Sequence, residues 1–484
     1  MVIKLRRILG YTLLFCVFAV ILIIPVAVII RKAVLGLFTG PNTLDISVAA
    51  AFGSMKLGLV AACAQVLLGF SLGALLDRNY FRYVFDLAMI WPLTIPAFVH
   101  LSILRLAGIR LPGVWQSVLP LTIAGFPIAY FAARFALRRE QHRTREMCQL
   151  YMRTSAAFYY IKIRPLMRIC PQVMALAFVL TISDPLTPTL AGGKVPNGAK
   201  VTWIGTTVLH ADNMVSQTAL LLTIPSLVFA TILYKSTKTE IMLGGRGSEE
   251  RDVTFAPSHL TAPLLVTGAI LLLAFTAFEH AGAVARSSWG VIANTLWLVA
   301  LAALAASGIA LAGAWLRCAA TDIAFLALLL TPGATLGAGF TMSYGSFAGG
   351  SPLLIVFSYL TVSMPLTYLA AIVTRSSRFD SADTAIIQGM GRGRAVLLAV
   401  RPHVRTHATV AVAVVTAVSA VMVAPISWVT SPDSPIVVPR LFRLLDSSSY
   451  ADAFSLAVTM SFLQIILLVV ARGALTIPIL RTRK

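Results

Sequence analysis

Residues 8–30 read ILGYTLLFCVFAVILIIPVAVII, 23 positions without a single charge. About 20 apolar residues carry a helix across the hydrocarbon core of a bilayer. Comparable runs recur to the far end of the 484-residue chain. In lipid a backbone satisfies its hydrogen bonds only as helices or as a closed barrel. Barrel strands alternate polar and apolar residues, and these unbroken runs do not. Only 12% of the residues are charged, against about a quarter in a soluble domain. The chain therefore reads as an all-α polytopic membrane protein. Twelve spans are predicted, near 8–30, 47–76, 84–107, 114–136, 169–190, 216–234, 260–279, 289–315, 321–345, 351–373, 404–430 and 451–471.

A net charge of +21 raises nucleic acid as a partner, and the placement of that charge argues against it. With the N-terminus inside, 28 Lys and Arg fall in inside segments and 9 in outside ones. That is the positive-inside bias of a membrane protein, and it predicts both termini in the cytoplasm. The first apolar run exceeds the 7–15 residues of a signal peptide's core and no A-x-A site follows, so it reads as a span. Cys16, Cys63, Cys148, Cys170 and Cys318 form no C-x-x-C pair and read as small packing residues, with no disulfide or zinc site.

The chain carries signs of duplication. Asp86 precedes Pro96 by ten residues, as Asp322 precedes Pro332. Glu146 precedes Pro165 by nineteen, as Asp383 precedes Pro402. VLHADNMVSQTALLL (208–222) echoes LLDSSSYADAFSLAV (444–458) ahead of the last span of each half. These offsets predict two parallel six-span halves, 1–235 and 259–484, joined by a cytoplasmic linker over 236–258.

The largest inside loop of each half follows its fourth span: 138–168 in the first, 375–405 in the second. The second loop contains QGMGRGRAVLLAVRPHVR, whose glycines invite comparison with a phosphate-binding loop. A P-loop needs G-x-x-x-x-G-K-[ST], and there is no Lys between 375 and 405. The dinucleotide fingerprint fails as well, because Arg394 stands where its third glycine belongs. What remains is an acidic, small-residue helix start, a glycine break over 389–393, and an apolar helix stopped at Pro402: a helix–turn–helix at the membrane surface.

These residues resemble the membrane permeases of binding-protein-dependent ABC importers, whose signature is E-A-A-x₃-G-x₉-I-x-L-P. Asp383, Ala385, Gly389 and Pro402 fall on the Glu, second Ala, Gly and Pro positions. In the first half only Glu146 and Pro165 match, with Met147, Cys148 and Met152 replacing the alanines and glycine. The duplicated twelve-span layout and ISDPLTPTLAGG (182–193) extend the likeness, which is strongest to the fused permeases for ferric iron, thiamine and related small solutes. The resemblance implies that both loops are coupling helices contacting two ATP-binding cassette subunits. It further implies a soluble solute-binding protein as partner, ATP and Mg used by the partner ATPase only, no cofactor or catalytic residue on this chain, and a bacterial plasma (inner) membrane location.

Other polar residues stand at membrane depth. Asp184, in ISDPLTP, is either a pathway residue or an ordinary span terminus. Asp86 and Asp322 are read as helix-start caps or substrate contacts, and Lys56 as snorkelling or facing the bundle interior. His403 and His407 share an i, i+4 spacing without a third metal ligand. Trp91, Trp203, Trp289 and Trp428 are predicted interface anchors. A secondary transporter with two parallel halves is the alternative class, and a membrane-bound enzyme is disfavoured because no nucleophile–base or metal set emerges.

Overall fold

A computed structural model describes residues 2–39, 43–76, 82–106, 108–109, 111–139, 151–192, 196–241, 261–316, 319–375, 423–430 and 434–476. Their regular structure is helical throughout. The helices are α1 (Val2–Phe18), α2 (Ile24–Thr39), α3 (Leu44–Leu75), α4 (Arg82–Leu93), α5 (Ala97–Leu106), α6 (Trp115–Arg139), α7 (Thr154–Phe158), α8 (Arg164–Ile182) and α9 (Leu186–Leu190). They continue with α10 (Gly198–Ile204), α11 (Asp212–Ile241), α12 (Thr261–Leu316), α13 (Ala319–Leu330), α14 (Gly333–Ala348), α15 (Pro352–Arg375), α16 (Ile426–Val429), α17 (Val437–Asp446) and α18 (Tyr450–Thr476). Among the described residues six helices are long and apolar enough to cross a membrane, and a seventh candidate is a pair bent by 94°.

Proline explains several interruptions. A π turn over Ala19–Ile23 comes just before Pro25, and another over Tyr159–Ile163 just before Pro165. Proline has no N–H to give the preceding turn, and a wider turn absorbs the mismatch without ending the helix. The fifth span consequently starts at Ser155, well before the predicted 169. Two predicted straight spans are broken instead. The 84–107 segment divides into α4 and α5 at Thr94–Pro96, and 321–345 divides into α13 and α14 at Thr331–Pro332. A residue before proline is pushed out of the α region, which ends the helix there.

A further difference lies in the second half. The predicted spans 260–279 and 289–315 form one uninterrupted helix, α12, of 56 residues. At 1.5 Å per residue it is about 84 Å long, far beyond a hydrocarbon core of about 30 Å. Its apolar, well-packed crossing is Ser288–Ala314.

Close approach of backbones organises the first bundle. α3 packs along α6 with Gly69 and Gly73 facing Ala129 and Ala133. A Cβ on Gly69 would lie 2.6 Å from the Phe126 carbonyl oxygen, so only glycine permits this contact. Small residues four apart are how helices approach in lipid, where van der Waals packing supplies much of the association. The two ends of the chain interlock. The N-terminal span lies against second-half helices: Tyr11 donates to the Leu316 carbonyl at 3.2 Å, and Tyr344 to the Val20 carbonyl at 2.8 Å. Phe18 meets Phe325 edge to face, with centroids 5.0 Å apart. One large apolar core therefore runs from Leu14 to Met460.

A cavity where helix breaks meet

The sequence places prolines at 96, 185, 332 and 425, and the structure draws the four breaks beside them together. A cavity of about 150 Å³ lies among three of them, lined by residues that include Gln65, Leu93, Pro96, Thr181, Asp184 and Ala424. The fourth is tied in by Ser183, whose hydroxyl accepts from the Gly333 N–H at the start of α14, at 2.9 Å. The same hydroxyl donates to the Val179 carbonyl at 2.6 Å, so its one proton is used.

Broken helices leave backbone groups that need partners inside the bundle. Side chains from the other part of the chain supply them. Ser461 on α18 donates to the Thr94 carbonyl at 3.1 Å. Thr335 on α14 donates to the Ala219 carbonyl of α11 at 3.0 Å and lies 3.1 Å from the Thr223 hydroxyl. The breaks at Thr94–Pro96 and Thr331–Pro332 are thus each fastened to the last long helix of the opposite part.

Asp184 is 8% exposed. It lines the cavity and also caps the break. Oδ1 accepts from the Leu186 N–H at 2.9 Å and the Thr187 N–H at 3.2 Å, and Oδ2 accepts from the Thr187 hydroxyl. Gln65 reaches in from α3, its amide donating to the Leu121 carbonyl at 2.8 Å and to Thr181 at 3.2 Å. It lies over Gly125, where a Cβ would come within 2.4 Å of the amide carbon.

Asp86 and Asp322 do not line this cavity. Tyr130 donates to Asp86 at 2.9 Å, and Tyr368 donates to Asp322 at 2.5 Å. Arg134 lies 3.5 Å from Asp86 and donates to the Leu76 carbonyl at 3.0 Å. Lys162 donates to Ala74 at 2.7 Å, so two cations hold the C-terminal end of α3, where a helix presents its negative pole.

Pro165 is buried in the first turn of α8, inside a helical run rather than at the end of a loop. Glu146, Asp383, Ala385, Gly389, Pro402, His403 and His407 lie outside the described residues. Lys56 faces outward on α3, its ammonium 4.6 Å from the centre of the Phe52 ring one turn nearer the helix start. Of the four predicted tryptophan anchors, Trp289 is exposed, Trp428 is buried against Gly337, and Trp91 and Trp203 pack onto the core. Cys16 and Cys63 are exposed rather than packed inside. No cluster of metal-ligating side chains occurs among the described residues.

Gln65, Ser183, Thr335 and Ser461 were not singled out from sequence. Gln65 had a visible signal, being the one amide inside a 32-residue apolar helix. The three hydroxyls carried none, since Ser and Thr are common in spans and only the fold brings them to the breaks.

Fold and site together define a multi-pass α-helical membrane protein. The chain matches no described protein family, no curated protein and no solved structure.

Proposed function

We propose that this chain is the permease subunit of a binding-protein-dependent ABC import system, providing the path by which a small solute crosses the membrane. One observation carries the reading: breaks from both parts of the chain converge on a largely apolar cavity that carries four polar side chains, Gln65, Thr181, Ser183 and Asp184. Irregular backbone is tolerated at membrane depth only where protein buries it or a cavity needs it, and paired broken helices mark solute sites in transporters. The paired Asp–Tyr contacts, 236 residues apart at the aspartates, support two parallel halves over 1–235 and 259–484. The nineteen-residue acid-to-proline spacing in both inside loops supports docking of two ATP-binding subunits, with ATP and Mg bound there and a soluble binding protein delivering the solute. In this reading the protein sits in a bacterial inner membrane with both termini in the cytoplasm, and a small solute is its cargo.

The test is co-expression with an ABC ATPase and a solute-binding protein taken from neighbouring genes. Two ATPase subunits are expected to co-purify per chain, and vesicles holding the assembly to take up solute only with ATP. Uptake by the chain alone, driven by an ion gradient, would instead establish a secondary transporter.

A further inference from the structure

The chemistry of the cavity narrows its ligand. Among its described lining residues Asp184 is the one ionisable side chain, and there is no Lys, Arg or His. Leu93, Ile95, Leu121, Ile128, Leu180 and Val423 form apolar walls. We infer that the cavity is a binding site for a small alkylammonium ion, its charged nitrogen at Asp184 and Gln65 and its hydrocarbon body on those walls. The inference rests on reading the cavity as part of the solute path.

Three physical arguments separate this ligand from its competitors. An anion would meet the Asp184 carboxylate with no cation beside it, at the low effective dielectric of a membrane protein interior. A hard metal ion takes six or more oxygen ligands. Here the Asp184 carboxylate already accepts three hydrogen bonds of about four it can hold, and Thr181 is engaged with Gln65 and the Ala177 carbonyl. One remaining carboxylate site and the Gln65 amide oxygen suit a single positive charge carried by N–H or polarised N–CH₃ groups, not a metal's full shell. A neutral molecule of the same shape fills the space but brings no countercharge to a carboxylate shielded from water, and burying an unpaired charge is costly.

Size sets the upper limit. At about 30 Å³ for each water-sized group, the cavity holds about five such groups. That accommodates propylammonium or tetramethylammonium and excludes a ring system of a dozen atoms in this conformation.

The experiment uses the full-length protein in lipid nanodiscs without ATPase, so its outcome is independent of whether the chain couples to ATP. Calorimetric titration with propylammonium and tetramethylammonium is compared with the neutral near-isosteres propan-1-ol and tert-butanol, and with Mg²⁺. The wild-type protein is expected to bind at least one ammonium saturably and at least tenfold tighter than its neutral isostere. Asp184→Asn keeps a residue able to cap the break and is expected to lose that preference. Leu121→Trp, which fills the cavity without touching the carboxylate, is expected to weaken ammonium binding as well. Equal binding of ammonium and isostere, tighter binding of Mg²⁺, or unchanged ammonium binding in Asp184→Asn each overturns the assignment. Should Asp184→Asn fail to fold, the wild-type comparison and Leu121→Trp decide it. Loss of ATP-driven uptake with ammonium binding intact would instead count against the import-system reading alone.

Discussion

The Tyr130 hydroxyl donates to Asp86 Oδ1 at 2.9 Å, joining α6 to α4 near the start of the first broken span. Tyr368 and Asp322 repeat the contact between α15 and α13. The surroundings differ. Arg134, one turn beyond Tyr130, lies against Asp86 and is 3% exposed, whereas Ile372 stands one turn beyond Tyr368. Phe325 instead stacks on Tyr368 with centroids 3.8 Å apart.

The two aspartates should therefore differ in their worth to the fold. Asp86→Ala removes both the Tyr130 hydrogen bond and the carboxylate 3.5 Å from a buried guanidinium, and is expected to cost about 3 kcal/mol, at the lower end of the range for breaking a buried pair because Asp86 is partly exposed. Asp322→Ala loses one hydrogen bond to a charged group and is expected to cost about 1–2 kcal/mol. Thermal unfolding of the two variants in detergent measures the ordering, and an equal or reversed ordering contradicts this account of Arg134.

Both aspartates were visible in the sequence through their ten-residue spacing to Pro96 and Pro332, whereas the breaks at those prolines were not read from it, both segments being predicted as single spans. The tyrosine partners of the aspartates were not visible either, since contacts 44 and 46 residues away depend on how helices pair. The merger of two predicted spans into α12 has a local cause. AFEHAGAVARSSWG (277–290) is polar enough to suggest a loop but contains no proline and is rich in alanine, so nothing in it stops a helix. Trp428 misled for the opposite reason: its place near a span end suggested the interface, while Gly337 opens a slot in the core that sequence does not reveal. Asp184 was legible as a functional candidate, yet its capping of the break and its neighbour Gln65 emerged only with the fold.

Gly69 offers a test of the α3–α6 contact. Gly69→Val sets side-chain carbons against the Phe126 carbonyl and the Ala129 methyl, forcing the helices apart. Overpacking costs about 1–3 kcal/mol and more where backbone must move. Sharply reduced recovery of monodisperse protein is expected. Gly290→Ala, which meets nothing within 4 Å on α12, should unfold at or slightly above the wild-type temperature. Equal behaviour of the two variants would show that the close approach contributes little.

Lys56 answers differently. Side chains on a helix lean toward its N-terminal end, and the Lys56 ammonium lies over Phe52 in that direction. The long stem covers apolar surface while the charge is carried toward the nearer interface. Lys56→Leu is expected to leave unfolding temperature unchanged or raised and solute uptake intact. Abolished uptake in a well-folded Lys56→Leu protein would return this residue to the transport path.

The continuous α12 makes membrane orientation worth measuring directly. The charge asymmetry of 28 inside to 9 outside predicts a cytoplasmic C-terminus, which requires 260–315 to cross the membrane twice and α12 to break between its two apolar stretches in the bilayer. A single crossing by α12 reverses everything after it. A C-terminal fluorescent fusion is expected to glow and a phosphatase fusion to stay inactive. The reverse pattern would overturn the cytoplasmic placement and make α12 one crossing.

The coupling assignment is tested in the 375–405 loop, where the acid, glycine and proline spacing is complete. Asp383→Lys reverses the charge at the signature's acidic position, and Gly389→Trp puts a large side chain at the signature's glycine position. Both positions precede the apolar stretch ending at Pro402, so neither change shortens a span, and membrane insertion should be unaffected. Uptake driven by the ATPase is expected to fall at least tenfold in each, while ammonium binding at Asp184 persists. A rigid-body switch moves only if the ATPase grips its two states differently, and these substitutions remove that grip without altering the solute site. Glu146→Lys, in a loop that keeps only the acid and the proline, is expected to have the smaller effect. Full uptake in both Asp383→Lys and Gly389→Trp would detach this loop from energy coupling and leave the nineteen-residue spacing without a functional reading.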